Sequence, residues 1–280
     1  MDDAKETARE NAMDTFTAFI LENEPAIRLG VFFGVFAVMI AWEVAAPRLR
    51  LALPRSRRWP ANIGIVVLNT LLVRLIFPVL PVGVAAWAAG EGYGLFNWLD
   101  VPAWLAALLS VLILDCAIYA QHVVFHKVPV LWRLHRMHHA DTGYDVTTGA
   151  RFHPIEILMS MVIKMAIVVA IGAPAVAVVL FEVLLNGTAM FNHGNVSLPG
   201  PIDRLVRLVL VTPDMHRVHH SSVQVETDSN YGFALSVWDR LFGTYTAQPA
   251  AGHDGMQIGL EYLRDPAEQR LDRMLTQPFR

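Results

Sequence analysis

The sequence is short of charge. Asp, Glu, Lys and Arg make up 17% of its 280 residues, against roughly 25% in an ordinary soluble domain, too few to coat a soluble core of this size. It has a single cysteine, Cys116, which excludes a disulfide framework and any Cys-rich zinc or iron–sulfur site. It has no basic excess either: the formal net charge of −3 argues against a nucleic-acid partner. No repeat of domain-building length and no low-complexity linker is present. What remains is apolar, 54% of residues with a mean hydropathy of +0.41, together with eleven histidines. These features predict an all-α, polytopic integral membrane protein with a histidine-rich polar part.

The first 28 residues are polar and acidic, with Asp2, Asp3, Glu6, Glu10 and Asp14 among them. No basic stretch precedes an early apolar run, so no cleaved signal peptide is expected. A first span is predicted from Leu29 toward Ala46, closed by Pro47 and approaching the ~20 residues that cross a bilayer. Trp59–Ala89, interrupted by Arg74, Pro78 and Pro81, is expected to cross once with a tilt or kink. Pro102–Gln121 is the third span. Ile155–Gly187 is broken by Gly172-Ala173-Pro174 and carries Lys164 and Glu182, so two half-spans or two shallow helices are expected there. Nothing beyond Asn192 could span. The Arg48–Arg58 cluster sets the cytoplasmic side, and the Gly90–Asp100 loop, without Lys or Arg, the far side. Counting forward, every histidine then falls on or near the cytoplasmic face, as a helical cap. The domain reading is a polar segment 1–28, a transmembrane region 29–109, a catalytic part 110–246 and a tail 247–280.

Eight histidines form three groups: His122 and His126 as HxxxH, His135, His138 and His139 as HxxHH, and His216, His219 and His220 as a second HxxHH. On helices such spacings put each group on one face. One HxxHH is expected by chance about 0.02 times in a chain of this composition, so two copies plus HxxxH imply metal binding. A lone histidine at a helix end is ordinarily a surface or capping residue; it is the grouping that points to a metal. Imidazole suits zinc, copper, iron and nickel. Eight neutral ligands exceed one ion's needs, so two metals are expected, with iron, zinc and copper open on ligand chemistry alone.

The order HxxxH, HxxHH, HxxHH beside apolar spans resembles the fatty acid hydroxylase/sterol desaturase superfamily. So do Trp132-Arg133-Leu134-His135, Arg151-Phe152-His153-Pro154-Ile155-Glu156, Asn192-His193-Gly194-Asn195, Thr212-Pro213-Asp214-Met215-His216 and Trp238-Asp239-Arg240-Leu241-Phe242-Gly243-Thr244-Tyr245. The resemblance covers about 110–246. It implies two irons (zinc as a substitute), dioxygen, an external electron donor protein, and hydroxylation or desaturation of an aliphatic C–H position in a lipid or sterol-like substrate. It also implies His122, His126, His135, His138, His139, His216, His219 and His220 as ligands, with His193 at a position where the family often adds one. Some relatives carry another histidine four residues earlier, where this chain has Ala189.

Three residues are candidates for orienting imidazoles through their free N–H. Asp115 lies seven residues before His122 on the same face. His153 precedes a proline at a helix start. Asp214 adjoins the second HxxHH, where it is equally a helix N-cap. His253, in a Gly-rich tail, is expected to face solvent. The competing function is a non-catalytic metal-binding or metal-transporting membrane protein, which would place ligands along a mid-span path and not at one interface. A haem carrier would pair axial histidines inside helices. The preference for arginine over lysine points to a bacterial inner membrane, or the endoplasmic reticulum in a eukaryote, with the site facing the cytoplasm.

Overall fold

A computed structural model describes residues 14–99 and 101–280. Asp2, Asp3, Glu6 and Glu10 of the acidic N-terminus, and Asp100, lie outside the described residues. Among the described residues the chain is helical and has no strand beyond two isolated bridges, Leu210 with Leu235 and Ser221 with Ile258. The main helices are α1 (Glu24–Ala45), α2 (Arg55–Ile76), α3 (Pro81–Gly90), α4 (Ala103–Lys127), α5 (Pro129–His139), α6 (Pro154–Ile171), α7 (Ala175–Asn192) and α8 (Pro213–His219). Proline opens them almost throughout. Pro25, Pro81, Pro129, Pro154 and Pro213 occupy first-turn positions, and Pro54, Pro102 and Pro174 stand just before. There its fixed φ suits the helix and no N–H is wasted.

Among the described residues, five segments are long and apolar enough to cross a membrane: Glu24–Ala45, Arg55–Trp98, Ala103–Lys127, Pro154–Ile171 and Ala175–Asn192. Their outward faces are apolar, with Leu29, Phe33, Val67, Leu71, Leu75, Leu108, Val162 and Leu184 exposed, as suits a multi-pass bundle in lipid. The second apolar region is a single candidate span, as expected, made of α2, which ends at Ile76 before Pro78, and the separate ten-residue α3. One expectation is corrected. The fourth block is neither half-spans nor shallow helices but two full 18-residue helices. The charges that argued against them cancel across the pair, because Lys164 donates to Glu182 at 2.8 Å and Arg28 of α1 lies 3.1 Å from the same carboxylate. Gly172, at φ +66°, makes the left-handed turn that ends α6.

Ala85, Leu114, Val168, Ala173, Val178 and Phe181 pack α3, α4, α6 and α7 together at the end remote from the histidines. At the other end α1, α4 and α7 finish while α2 and α6 begin, and the loops there fold over as a cap. Buried charge ties it down. Arg58 of α2 is fully buried and grips Asp141 through two bonds of 2.6 Å and Asp145 at 2.7 Å. Arg151 bonds the Met137 carbonyl at 2.9 Å and Gln269 at 2.7 Å. The Arg48–Arg58 cluster is therefore partly internal structure and not only a surface charge signal. Arg133 and Arg136 of α5 donate to carbonyls of Pro278, Gln277 and Arg280, so the tail clasps the helix carrying the first HxxHH.

Candidate metal centre

The structure brings all nine predicted imidazoles together, every one buried, in two groups. His122, His126, His135, His139 and His219 form one; His138, His193, His216 and His220 form the other. Each HxxHH box is therefore divided between the groups. Neighbouring residues on a helix diverge by about 100°, so His138 turns away from His135 and His139, and His219 from His216 and His220. The expectation that each box points one way is corrected. The groups abut, with the rings of His139 and His220 stacked 4.6 Å apart.

The nitrogens turned inward are Nε2 atoms. In the first group His122 and His139 approach His135 at 3.1 and 3.3 Å; in the second, His138, His216 and His220 approach His193 at 3.2, 3.1 and 3.2 Å. The outer nitrogens explain why these contacts are not ordinary hydrogen bonds. His122 Nδ1–H donates to the Tyr231 carbonyl at 2.7 Å, His219 to that of Ser229 at 2.7 Å and His193 to that of Ala189 at 2.8 Å. His135 Nδ1–H donates to Glu156 at 2.7 Å. A neutral imidazole protonated on Nδ1 has a bare lone pair on Nε2, so the His122 and His135 lone pairs face each other at 3.1 Å. Protonation is no remedy, since burial pushes His135 down to about 3 and His193 to about 4. A cation resolves the conflict. Metal–imidazole bonds of about 2.0–2.1 Å put adjacent nitrogens about 3.0–3.4 Å apart, the separation seen. Each all-imidazole group could hold a metal ion.

The first group is the more firmly braced. One loop, Asp228–Tyr231, fixes three of its histidines: the two carbonyls above, and the Asp228 carboxylate 3.3 Å from His126 Nδ1. That loop is set by Asn230, at φ +50°, whose Nδ2 donates to the Met215 and Thr246 carbonyls and whose Oδ1 accepts from Thr246 N, and by Asp239, which takes the N–H of Tyr231 and of Gly232. Among the described residues, only His193 of the second group has such an anchor, and Nδ1 of His138 and of His216 meets no partner. Phe152 lies flat on His138 at 4.5 Å, Phe233 stands 5.0 Å from His122 and 6.1 Å from His216, and Trp132 is 4.8 Å from His126. The centre is walled by rings.

The three orienting candidates lie elsewhere. Asp115 accepts from Trp238 Nε1 at 2.8 Å and Leu235 N at 3.2 Å, fixing a cap segment against α4 and not an imidazole. His153 caps α6 through Ile155 N and reaches the Leu275 carbonyl. Asp214 pairs with Arg217, while Thr212 is the N-cap of α8. His253 is buried, not solvent-facing. The bracing acceptors that sequence reasoning missed are Glu156 and Asp228; Glu156 ends the His153-Pro154-Ile155-Glu156 stretch that resembles the family.

The fatty acid hydroxylase family model matches residues 107–244, a segment of this chain that takes in all nine histidines. The chain is 32% identical over 149 residues to an ornithine lipid hydroxylase of Rhizobium tropici, covering 53% of this chain and 44% of that protein. It is 31% identical over 160 residues to a human alkylglycerol monooxygenase, covering 56% and 34%. A very-long-chain aldehyde decarbonylase of Oryza sativa subsp. indica is 27% identical over 175 residues, covering 58% and 28%. The match thus spans less than half the length of these curated relatives. No solved structure matches the chain.

Proposed function

We propose that the protein is a membrane-bound, O2-dependent di-iron monooxygenase that hydroxylates an aliphatic C–H position of a lipid. The observation carrying this reading is the convergence of nine buried Nε2 atoms into groups of five and four, adjoining one another, within the segment matched by the hydroxylase family. The five would hold one iron and the four the other, zinc being a substitute. When bound, the irons would supply dioxygen activation, one oxygen atom entering an unactivated C–H bond and the other leaving as water with two protons and two electrons from an external donor protein.

The chain's own residues do the rest. Tyr231, Ser229, Ala189 and Glu156 hold the Nδ1 protons of His122, His219, His193 and His135, which keeps each Nε2 free to ligate. The rings of Phe152, Phe233 and Trp132 exclude water and leave an apolar surround suited to an alkyl chain. The membrane helices align that chain so that geometry selects one carbon. Hydroxylation is favoured over desaturation because the ornithine lipid and alkylglycerol relatives are a hydroxylase and a monooxygenase. On this reading 110–246 is the catalytic part, anchored by 29–109, and the cap faces the cytoplasm of a bacterial cell.

The clustering of the nine imidazoles toward one end of the bundle, and not in a path through the middle of the spans, favours this over metal transport. The test is metal and lipid analysis together. The purified protein should carry two irons per chain, and lipids of cells expressing it should gain one oxygen relative to cells expressing His138→Ala. One haem, or zinc that exchanges freely with no change in lipid, would overturn it.

A further inference from the structure

We infer that residues 202–210 and 237–242, outside every membrane-spanning helix, form an apolar wedge immersed in the lipid leaflet on the metal-centre side. The two segments are joined: Val211 N donates to the Ala234 carbonyl and Ser236 N to the Val209 carbonyl, both at 3.0 Å, beside the Leu210–Leu235 bridge. Their outer face is Ile202, Leu205, Leu208, Val209, Leu241 and Phe242, with Leu205 69% and Leu241 66% exposed. A patch of large side chains this continuous is not tolerated in water without a partner.

The depth of the patch identifies the partner as lipid. Helix α6 has 18 residues, about 27 Å, and must use its whole length to cross about 30 Å of hydrocarbon. Ser160, six residues into α6, bonds Gln121 of α4 at 2.6 Å, which puts Gln121 about 9 Å inside the bilayer. Tyr119 and Asp115 precede it along α4 and lie deeper, by about 3 and 9 Å. The wedge is fastened at those two residues. Phe242 stacks on Tyr119 at 5.4 Å, Thr244 bonds the Tyr119 hydroxyl at 2.8 Å, and Asp115 takes Leu235 N and Trp238 Nε1. The exposed face is therefore continuous with the lipid-facing side of α4, at hydrocarbon depth.

The charges of the wedge are arranged for such a setting. Asp203 and Arg207 pair at 2.5 Å with both side chains nearly buried. Asp239 is consumed by the loop backbone, and Arg240 bonds Ser236 and stacks 4.3 Å over Tyr245. Arg204 is exposed, with a stem long enough to carry its guanidinium to the headgroups. Because Phe233, two residues before Leu235, stands against His122 and His216, the wedge joins the leaflet interior to the wall of the metal centre.

The test uses the full chain with Cys116→Ser, reconstituted in phosphatidylcholine vesicles, with nitroxide labels at Leu208→Cys, Leu241→Cys, Leu108→Cys on the outside of α4, and Val225→Cys on the cap. These are exposed positions, so labelling leaves the packing intact. Collision with oxygen relative to a water-soluble nickel chelate should be several-fold higher at 208 and 241 than at 225, and close to that at 108. Aqueous accessibility at 208 and 241 with a lipid-like value at 108 overturns the wedge. Protection of 208 and 241 from both agents that rises with protein concentration also overturns it, and assigns the face to a second copy. An aqueous value at 108 would remove the bilayer placement of the bundle and the wedge with it.

Discussion

His135 on α5 and Glu156 on α6 are joined by a 2.7 Å hydrogen bond from Nδ1–H to the carboxylate. It fixes the tautomer and the ring plane of an inward-facing imidazole. Replacing such a partner typically weakens metal binding about 10–100-fold. Glu156→Gln should lose affinity in that range, and Glu156→Ala at least as much. Competition against a chelator, read as iron retained per chain, checks this; unchanged retention in both variants would show that Glu156 does not brace the site.

The division of the boxes makes loss of metal selective. His138→Ala removes one of four imidazoles from the second group and none from the first. The purified variant should hold close to one iron and form no product. His126→Ala acts on the first group, where four imidazoles remain. Loss of both metals together in either variant would mean that the groups bind as a single unit.

Asn230 offers a test of bracing without touching a ligand. Its left-handed backbone costs an alanine about 1–2 kcal/mol, and Asn230→Ala also abandons bonds to Met215 and Thr246. The loop that anchors His122, His126 and His219 should loosen, so the five-histidine group loses affinity while the four-histidine group keeps it. Asn230→Gly, which tolerates the backbone angle but lacks the side chain, should fall between. Chelator titration resolving two classes of iron reads both effects.

Arg58 meets Asp141 in a two-pronged geometry that lysine cannot copy. Arg58→Met strands two buried carboxylates and should destabilise the protein by about 3–5 kcal/mol, with Arg58→Lys recovering only part. Thermal unfolding in detergent measures this, and a Tm within a degree or two of the parent for Arg58→Met would be contrary to the role assigned.

The legible part of the molecule was its periodic part. Histidines spaced three and four apart announce themselves on any helix, and Pro102 and Pro154 mark helix starts by local chemistry alone. What escaped was tertiary. Lys164 and Glu182 each looked like an obstacle to spanning because their partnership is 18 residues apart in sequence and appears only when α6 and α7 lie side by side. Asp115 shares a helical face with His122, yet Trp238 and Leu235, more than a hundred residues on, claim its carboxylate. The five-and-four grouping depends on where α5 and α8 meet, which spacing within one helix does not contain.

The Lys164–Glu182 contact also bears on how the protein is made. A lysine near the centre of a solitary helix opposes transfer into hydrocarbon by roughly 2.5–3.5 kcal/mol, and α6 and α7 are separated only by Gly172-Ala173-Pro174. Emerging in sequence, the two can leave the translocation machinery as a hairpin in which the Lys164 and Glu182 charges cancel, the ion pair forming before lipid surrounds either of them. Residues 154–192 are then a single unit of biogenesis, inserted as one step, after which Arg28 of the first helix closes on the same carboxylate.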